Sequence, residues 1–174
     1  MVKVVIKLGH FLFPSKPDSA RLKTYADTLK ALAERGCRLV VVAGGGETSR
    51  TYISVLRELG ASEAICDEAG IWASRLNAKL LIAALGEHAY PAVPVSLEEV
   101  RVAFSLGKIV VIGGLTPGHS TAAVGALAAE AVGAERYIIA TDVDAIYSEN
   151  PKVNPKAERF SEITTERLLL MALK

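Results

Sequence analysis

The stretch Val40-Val-Val-Ala-Gly-Gly-Gly-Glu-Thr-Ser-Arg50 passes from four apolar residues into three consecutive glycines and then into a helix-like start. A β-branched run of this kind reads as a strand buried on both faces. Glycine gives up more backbone entropy on folding than other residues, so three in a row at a strand end need a reason. A second tract, Ile109-Val-Val-Ile-Gly-Gly-Leu-Thr-Pro-Gly-His-Ser-Thr121, repeats the pattern. Without Cβ atoms, both turns let the main chain come close to an anion. The helix that follows offers unpaired N–H groups and a partial positive charge. Taken singly, either tract also reads as a tight turn with a left-handed residue.

Around these tracts, short apolar runs over 2–8, 38–43, 90–94, 108–112 and 137–140 alternate with helical spacing over 18–35, 48–59, 62–85, 96–106 and 120–132. Asp18 supplies a helix start, and Gly36 and Gly60 supply stops. The alternation predicts an α/β fold, a three-layer α/β/α sandwich around a mainly parallel central sheet. In such sheets ligands bind beyond the carboxyl ends of the strands. Three strands end there in small-residue turns: Lys7-Leu-Gly-His10, Gly44-Gly-Gly46 and Gly113-Gly114. None matches a P-loop or a dinucleotide fingerprint. The polar segment 144–160, with Pro151 and Pro155, reads as a loop or β-hairpin, and 163–173 as a further helix.

Composition narrows the function classes. Of 174 residues, 51% are hydrophobic and 22% charged, which describes a globular chain. A formal charge of +1 is too small to hold nucleic acid by bulk attraction. No apolar run approaches a membrane span. The two cysteines, Cys37 and Cys66, lack CxxC spacing, and the histidines are not clustered. That favours a reducing cytoplasm over a disulfide scaffold or a metal centre. The chain has no Gln and three Asn, a scarcity of thermolabile amides in keeping with a thermophilic source.

Several side chains could serve phosphate chemistry. Lys7 closes the first strand beside Gly9, where an ammonium can bridge two phosphoryl groups; its alternative is a strand-end lysine reaching solvent. Arg50 lies one turn into the helix after the triple glycine, within reach of a phosphate. Asp142 and Asp144 follow the last strand, where an acid can orient a lysine or approach Mg²⁺. Either could instead cap a turn. His119 is a contact candidate.

The segments Lys7-Leu-Gly, Gly44-Gly-Gly-Glu-Thr-Ser-Arg50, Asp67-Glu-Ala-Gly-Ile-Trp-Ala-Ser-Arg-Leu-Asn-Ala78, Gly113-Gly-Leu-Thr-Pro-Gly-His-Ser-Thr-Ala-Ala-Val124 and Thr141-Asp-Val-Asp-Ala-Ile-Tyr147 together resemble the amino-acid-kinase superfamily, in its archaeal uridylate (UMP) kinase branch. The resemblance runs in order through the chain. It implies transfer of the ATP γ-phosphoryl group to UMP, with Mg²⁺ accompanying ATP and no protein metal site. It places UMP at Gly45, Asp67 and the loop Leu115, Thr116, Pro117, Gly118, His119, Ser120 and Thr121, with Asp67 on the ribose hydroxyls. ATP falls to Lys7, Gly9, His10, Gly46, Arg50, Thr141, Asp142, Tyr147 and Asn150, and the catalytic roles to Lys7 and Asp144. On this reading 1–174 is one amino-acid-kinase-like domain, abbreviated at its C-terminus. Residues 1–140 form the acceptor and phosphate part, and 141–174 begin the ATP part. The partners are UMP and ATP, and the resemblance implies a homo-oligomer, a hexamer built as a trimer of dimers, which the apolar helix over 71–85 would suit.

Four features depart from the family pattern: His10 after Gly9, Asp142 where Asn is usual, Ala145 where Gly is usual, and the absence of the roughly fifty further C-terminal residues that the family carries. An extra carboxylate at 142 is expected to repel polyphosphate, and Ala145 to be strained if its φ is positive. These departures keep open a second reading, a non-catalytic nucleotide- or oxyanion-binding member of the superfamily.

Overall fold

The computed structural model describes residues 1–172. Contacts divide the chain into two compact units, Met1–Thr141 and a second from Asp142 onward. In the first, β1 (Lys3–Leu8), β2 (Arg38–Ala43), β3 (Val110–Ile112) and β4 (Arg136–Ala140) form a parallel sheet in the order β3-β2-β1-β4. Val5 lies between Val40 and Tyr137 in register, and Val41 beside Val111. The chain steps outward from β1 to β3, then returns to the other flank of β1 for β4. That reversal creates the switch point at which α/β sheets open a crevice.

Alternation along the strands supplies both faces with apolar side chains. Val4, Ile6, Leu8, Leu39 and Val41 pack against α1 (Ser19–Glu34) and α3 (Glu63–Leu85) through Leu22, Leu29, Leu81 and Leu85. Val5, Val40, Val42, Val110 and Ile112 pack against α4 (Leu97–Ser105) and α5 (Thr121–Val132) through Val100, Phe104, Val124 and Ala128. The expected α/β/α sandwich is therefore present. Each such buried Val or Leu contributes roughly 1.5–3 kcal/mol over its exposed state. Between β2 and α3 runs α2 (Gly46–Glu58). Among the described residues no helix is long and apolar enough to cross a membrane.

Local signals explain the boundaries. Asp18 caps α1 by accepting from the Ala20 N–H at 2.9 Å, and Ser120 caps α5 by accepting from Ala123 N–H at 3.2 Å. The span 62–85, long enough for one bent helix or two, forms a single helix of 23 residues. The strand expected over 90–94 is not formed. Ala89 makes one bridge to Ile109, with the Tyr90 N–H donating to the Ile109 carbonyl at 2.9 Å, and pairing ends there. Pro91 has no N–H to continue a ladder, which accounts for the stop.

The second unit holds an antiparallel pair, β5 (Ile146–Tyr147) with β6 (Arg159–Phe160), followed by α6 (Thr165–Ala172). The hairpin expected from 144–160 is thus formed. The final residues of the helix expected over 163–173 reach beyond the described residues.

The turn that follows β3 is held against α3 at unusually short range. A Cβ on Gly113 would lie 2.7 Å from the Arg75 backbone N, and one on Gly114 would lie 2.9 Å from Ile71 Cγ1. Because backbone rather than a flexible tip stands in the way, Gly113→Ala is expected to lower stability by about 1–3 kcal/mol. Urea denaturation measures this, and an unchanged midpoint would mean that α3 withdraws at no cost.

Candidate functional site

Asp67, Gly70, Ile71 and Ser74 recur at helical spacing on one face of α3. That face looks onto the turns that follow β2 and β3. Gly45, the N-cap of α2, and Ser120 with Thr121, at the start of α5, bring two helix N-termini to the same place. Between them lies a cavity of about 200 Å³ lined by Gly45, Asp67, Thr116, His119, Ser120 and Thr121, six of the residues expected to hold UMP. The lining also includes Ser49, Ile53, Gly70, Ile71 and Gly114, which were not anticipated. For Gly70 and Ile71 a signal existed, since they stand three and four residues after Asp67.

Asp67 is half-buried and its Oδ2 accepts from the Gly118 N–H at 2.7 Å. The carboxylate thereby holds the 115–121 loop over the cavity. Within the loop Thr116 Oγ1 and His119 Nδ1 lie 3.0 Å apart. Gly118, at φ +82°, supplies the turn between them. Leu115 is half-buried against the α4/α5 side of the sheet, whereas Pro117 is exposed.

The glycines meet the protein's own atoms. Gly46 has φ +66°, and a Cβ there would stand 2.2 Å from the Phe13 carbonyl oxygen. Gly113 and Gly114 admit α3, as described above. These contacts account for three of the glycines without a ligand, so the short approach inferred from the sequence is made first by the protein itself.

The residues expected at ATP divide between the two units. Lys7 pairs in register with Val42 and Ile139, and the Gly9 N–H donates to the Ala140 carbonyl at 2.9 Å, so Lys7, Gly9 and Thr141 stand at the β1/β4 seam. Lys7 is half-buried and has no ion-pair partner among the described residues. Burial holds its ammonium below the usual lysine range. Gly46 opens α2. Arg50 is exposed on α2 and does not line the cavity. His10 begins a short 3-10 turn, and its side chain lies outside what is described.

In the second unit Asp142 pairs with the Lys152 ammonium, so the carboxylate expected to repel polyphosphate has a compensating charge. Ala145 does not adopt positive φ, and the strain expected there is absent. Asp144 accepts from the Tyr147 hydroxyl at 2.7 Å and from Arg159 Nε at 3.1 Å. The Asn150 side chain accepts from the Lys152 N–H at 3.0 Å and shapes the intervening turn. Among the described residues no three His, Cys, Asp or Glu side chains cluster in a way that could hold a metal ion.

Comparison with known proteins places this geometry. The profile of the amino acid kinase family matches residues 2–173. The chain belongs to the amino acid kinase family. Within that family it is 46% identical over 168 residues to the uridylate kinase of Methanothermobacter thermautotrophicus, covering 97% of this chain and 75% of the relative. To the uridylate kinase of Methanocaldococcus jannaschii it is 40% identical, covering 99% of this chain and 77% of the relative. The crystal structure of uridylate kinase from Archaeoglobus fulgidus superposes with a TM-score of 0.89 at 38% identity, over 100% of this chain and 79% of that one. A UMP kinase structure from Ureaplasma parvum, 21% identical with a TM-score of 0.83, shares the fold.

The Asp144 cluster gives a pH prediction. The Tyr147 hydroxyl first, and Arg159 after it, stabilise the carboxylate and hold its pKa below the usual value of 3.8. A depressed carboxylate adds stability that is present above its unfolded pKa and is lost as pH falls through the folded one. The Asp144 carboxyl carbon should therefore titrate below the usual aspartate range in NMR, and in Tyr147→Phe its titration should move up. Identical titration in both proteins would refute the assignment of cause.

Proposed function

We infer that this chain is a uridylate kinase, transferring the γ-phosphoryl group of ATP to UMP to give UDP and ADP. The observation that carries the reading is the convergence of two helix N-termini and one carboxylate on a single cavity. Helix N-termini attract a phosphate through unpaired N–H groups, and a carboxylate prefers hydroxyl donors. A phosphorylated ribose presents both within one molecule. The names of the archaeal relatives agree with this reading, and the charge balance at Asp142 and the ordinary backbone at Ala145 remove two objections to activity.

In this scheme UMP takes Gly45, Asp67 and the 115–121 loop, with Asp67 Oδ1 on the ribose hydroxyls. The ATP phosphates fall to Lys7 and Gly9 at the β1/β4 seam and to Gly46 at the start of α2. Arg50, Thr141, Asp142, Tyr147 and Asn150 serve ATP, and Asp144 fixes the charges around its phosphates. The UMP phosphate is already an ionised nucleophile, so no general base is needed. One of its oxygens bonds to the γ-phosphorus while the bond to the β,γ-bridging oxygen breaks and ADP leaves with the electron pair. Lys7, which has no ion-pair partner among the described residues, supplies a positive charge between donor and acceptor. The anionic substrates favour its ammonium form and oppose the effect of burial. Mg²⁺ arriving with ATP would neutralise charge on the phosphates, which suits a donor set containing no three-ligand cluster.

We extend the reading to assembly and location. The exposed Ile65, Trp72, Leu76 and Leu80 of α3, beside Tyr52, Val55 and Leu59 of α2, form an apolar surface suited to a second copy of the chain, and we propose such dimers as the building block of a hexamer, a trimer of dimers. The free thiols Cys37 and Cys66 suit a reducing cytoplasm.

Two experiments test the function. UMP should raise the melting temperature of the wild type, and Asp67→Ala should remove the shift; a wild type indifferent to UMP would end the acceptor assignment. In a coupled assay UDP formation should fall by about 10²–10³-fold in Lys7→Ala, with the UMP-induced shift retained. Bound UMP with no turnover in the wild type would leave a binding protein in place of a kinase.

A further inference from the structure

Ser74, Arg75 and Asn77 lie in the most distinctive segment of the chain, yet none lines the cavity. Each is instead attached to the main chain of a phosphate-facing turn. Ser74, fully buried, donates to the Ile71 carbonyl at 2.7 Å and accepts from the Gly114 N–H at 2.7 Å. Asn77, also buried, donates from Nδ2 to the Gly44 carbonyl at 2.8 Å. Arg75 donates from Nε to the Gly114 carbonyl at 3.1 Å and from Nη2 to the Leu115 carbonyl at 3.3 Å.

The consequence follows from peptide planarity. In a trans peptide the N–H points opposite to the preceding C=O. With the Gly114 and Leu115 carbonyls turned to Arg75, the N–H groups of Leu115 and Thr116 face away from it. Asn77 has the same effect at Gly44, turning the Gly45 N–H outward. Among the described residues the amides of Gly45, Leu115 and Thr116 have no protein acceptor. Arg75 has no carboxylate partner there either, and its guanidinium lies over the Trp72 ring at 5.4 Å. Its charge is therefore not neutralised, and it polarises the two peptides it holds, strengthening their N–H groups as donors.

We propose that Arg75 is a positioning residue for the acceptor phosphate, acting through the 114–115 and 115–116 peptides to aim and polarise two main-chain N–H groups, with Asn77 doing the same for Gly45. The proposal rests on the UMP reading above, deepening it from a pocket to a donor set. Arg75 need not touch the nucleotide.

The test compares UMP with uridine, which lacks the phosphate, in calorimetric titrations of wild type and Arg75→Met. UMP affinity should fall about tenfold or more while uridine affinity stays within about twofold, and in kinetics the KM for UMP should rise more than kcat falls. Arg75→Lys should recover only part of the loss, because one ammonium does not span two carbonyls in a fixed fork. Should Arg75→Met prove poorly folded, the same pair of titrations on Arg75→Lys carries the test, with an intermediate, phosphate-dependent loss expected. Unchanged UMP affinity overturns the proposal. So does an equal loss for UMP and uridine, which is what a purely structural tie would give. A wild type that ignores UMP removes the acceptor assignment separately. Inorganic phosphate titrated against the amide resonances of Gly45, Leu115 and Thr116 then decides: shifts that vanish in Arg75→Met support the role, and no shifts in the wild type overturn it.

Discussion

The short approach of α3 to the turn after β3 is the constraint from which the remaining site geometry follows. Helix and strand meet there at backbone distance, which Gly113 and Gly114 permit and which the Ser74 hydroxyl secures from both sides. A buried hydroxyl that donates and accepts is fully satisfied, so it stabilises this one register and penalises any slip that would strand it. Once the register is set, Asp67 stands two turns earlier on the same helix, facing the loop after β3. Asn77 stands one turn later, against the turn after β2. A single helix thus fixes both walls of the cavity.

The charges around that cavity divide into two kinds. Two helix N-termini offer diffuse positive potential, and Asp67 offers one localised negative charge. A phosphate alone would be repelled by the carboxylate, and a sugar alone would gain little from the helix ends. The arrangement discriminates by requiring both parts at a fixed separation. The Gly118 N–H on Asp67 adds a further condition, because under the proposed function the loop and a ribose hydroxyl would share one carboxylate through its two oxygens.

Features governed by neighbours in sequence were legible from the sequence. The β2 run, the Asp18 cap, the start of the helix at 120 and the glycine stops depend on local propensity, and they fall within a residue or two of expectation. Tyr90–Pro94 failed because a proline's missing N–H outweighed an apolar pattern. The glycine turns were located correctly but explained incompletely. That Gly46 is pressed by Phe13, and Gly113 by α3, depends on residues more than thirty positions away that no local pattern encodes. Arg75 was missed for a related reason. An arginine on a helix reads as a solvated surface charge until the carbonyls it serves are seen. Ser74 and Asn77 did leave a trace, as polar residues three apart on an otherwise apolar helical face.

A chemical advantage follows from holding phosphate with main-chain amides rather than with charged side chains. The acceptor oxygen must remain nucleophilic, and a guanidinium bonded directly to it would draw off the electron density that the reaction uses. Neutral N–H donors orient the phosphate with less withdrawal, and Arg75 behind them adds positive potential without competing for the attacking oxygen. Lys7, by contrast, stands at the β1/β4 seam. Under the proposed function, the positive charge that serves the transition state falls on the donor side, and the one that serves the bound acceptor is kept a peptide's width away. Such a division explains why glycines and α3, rather than a catalytic dyad, dominate the sequence around the site.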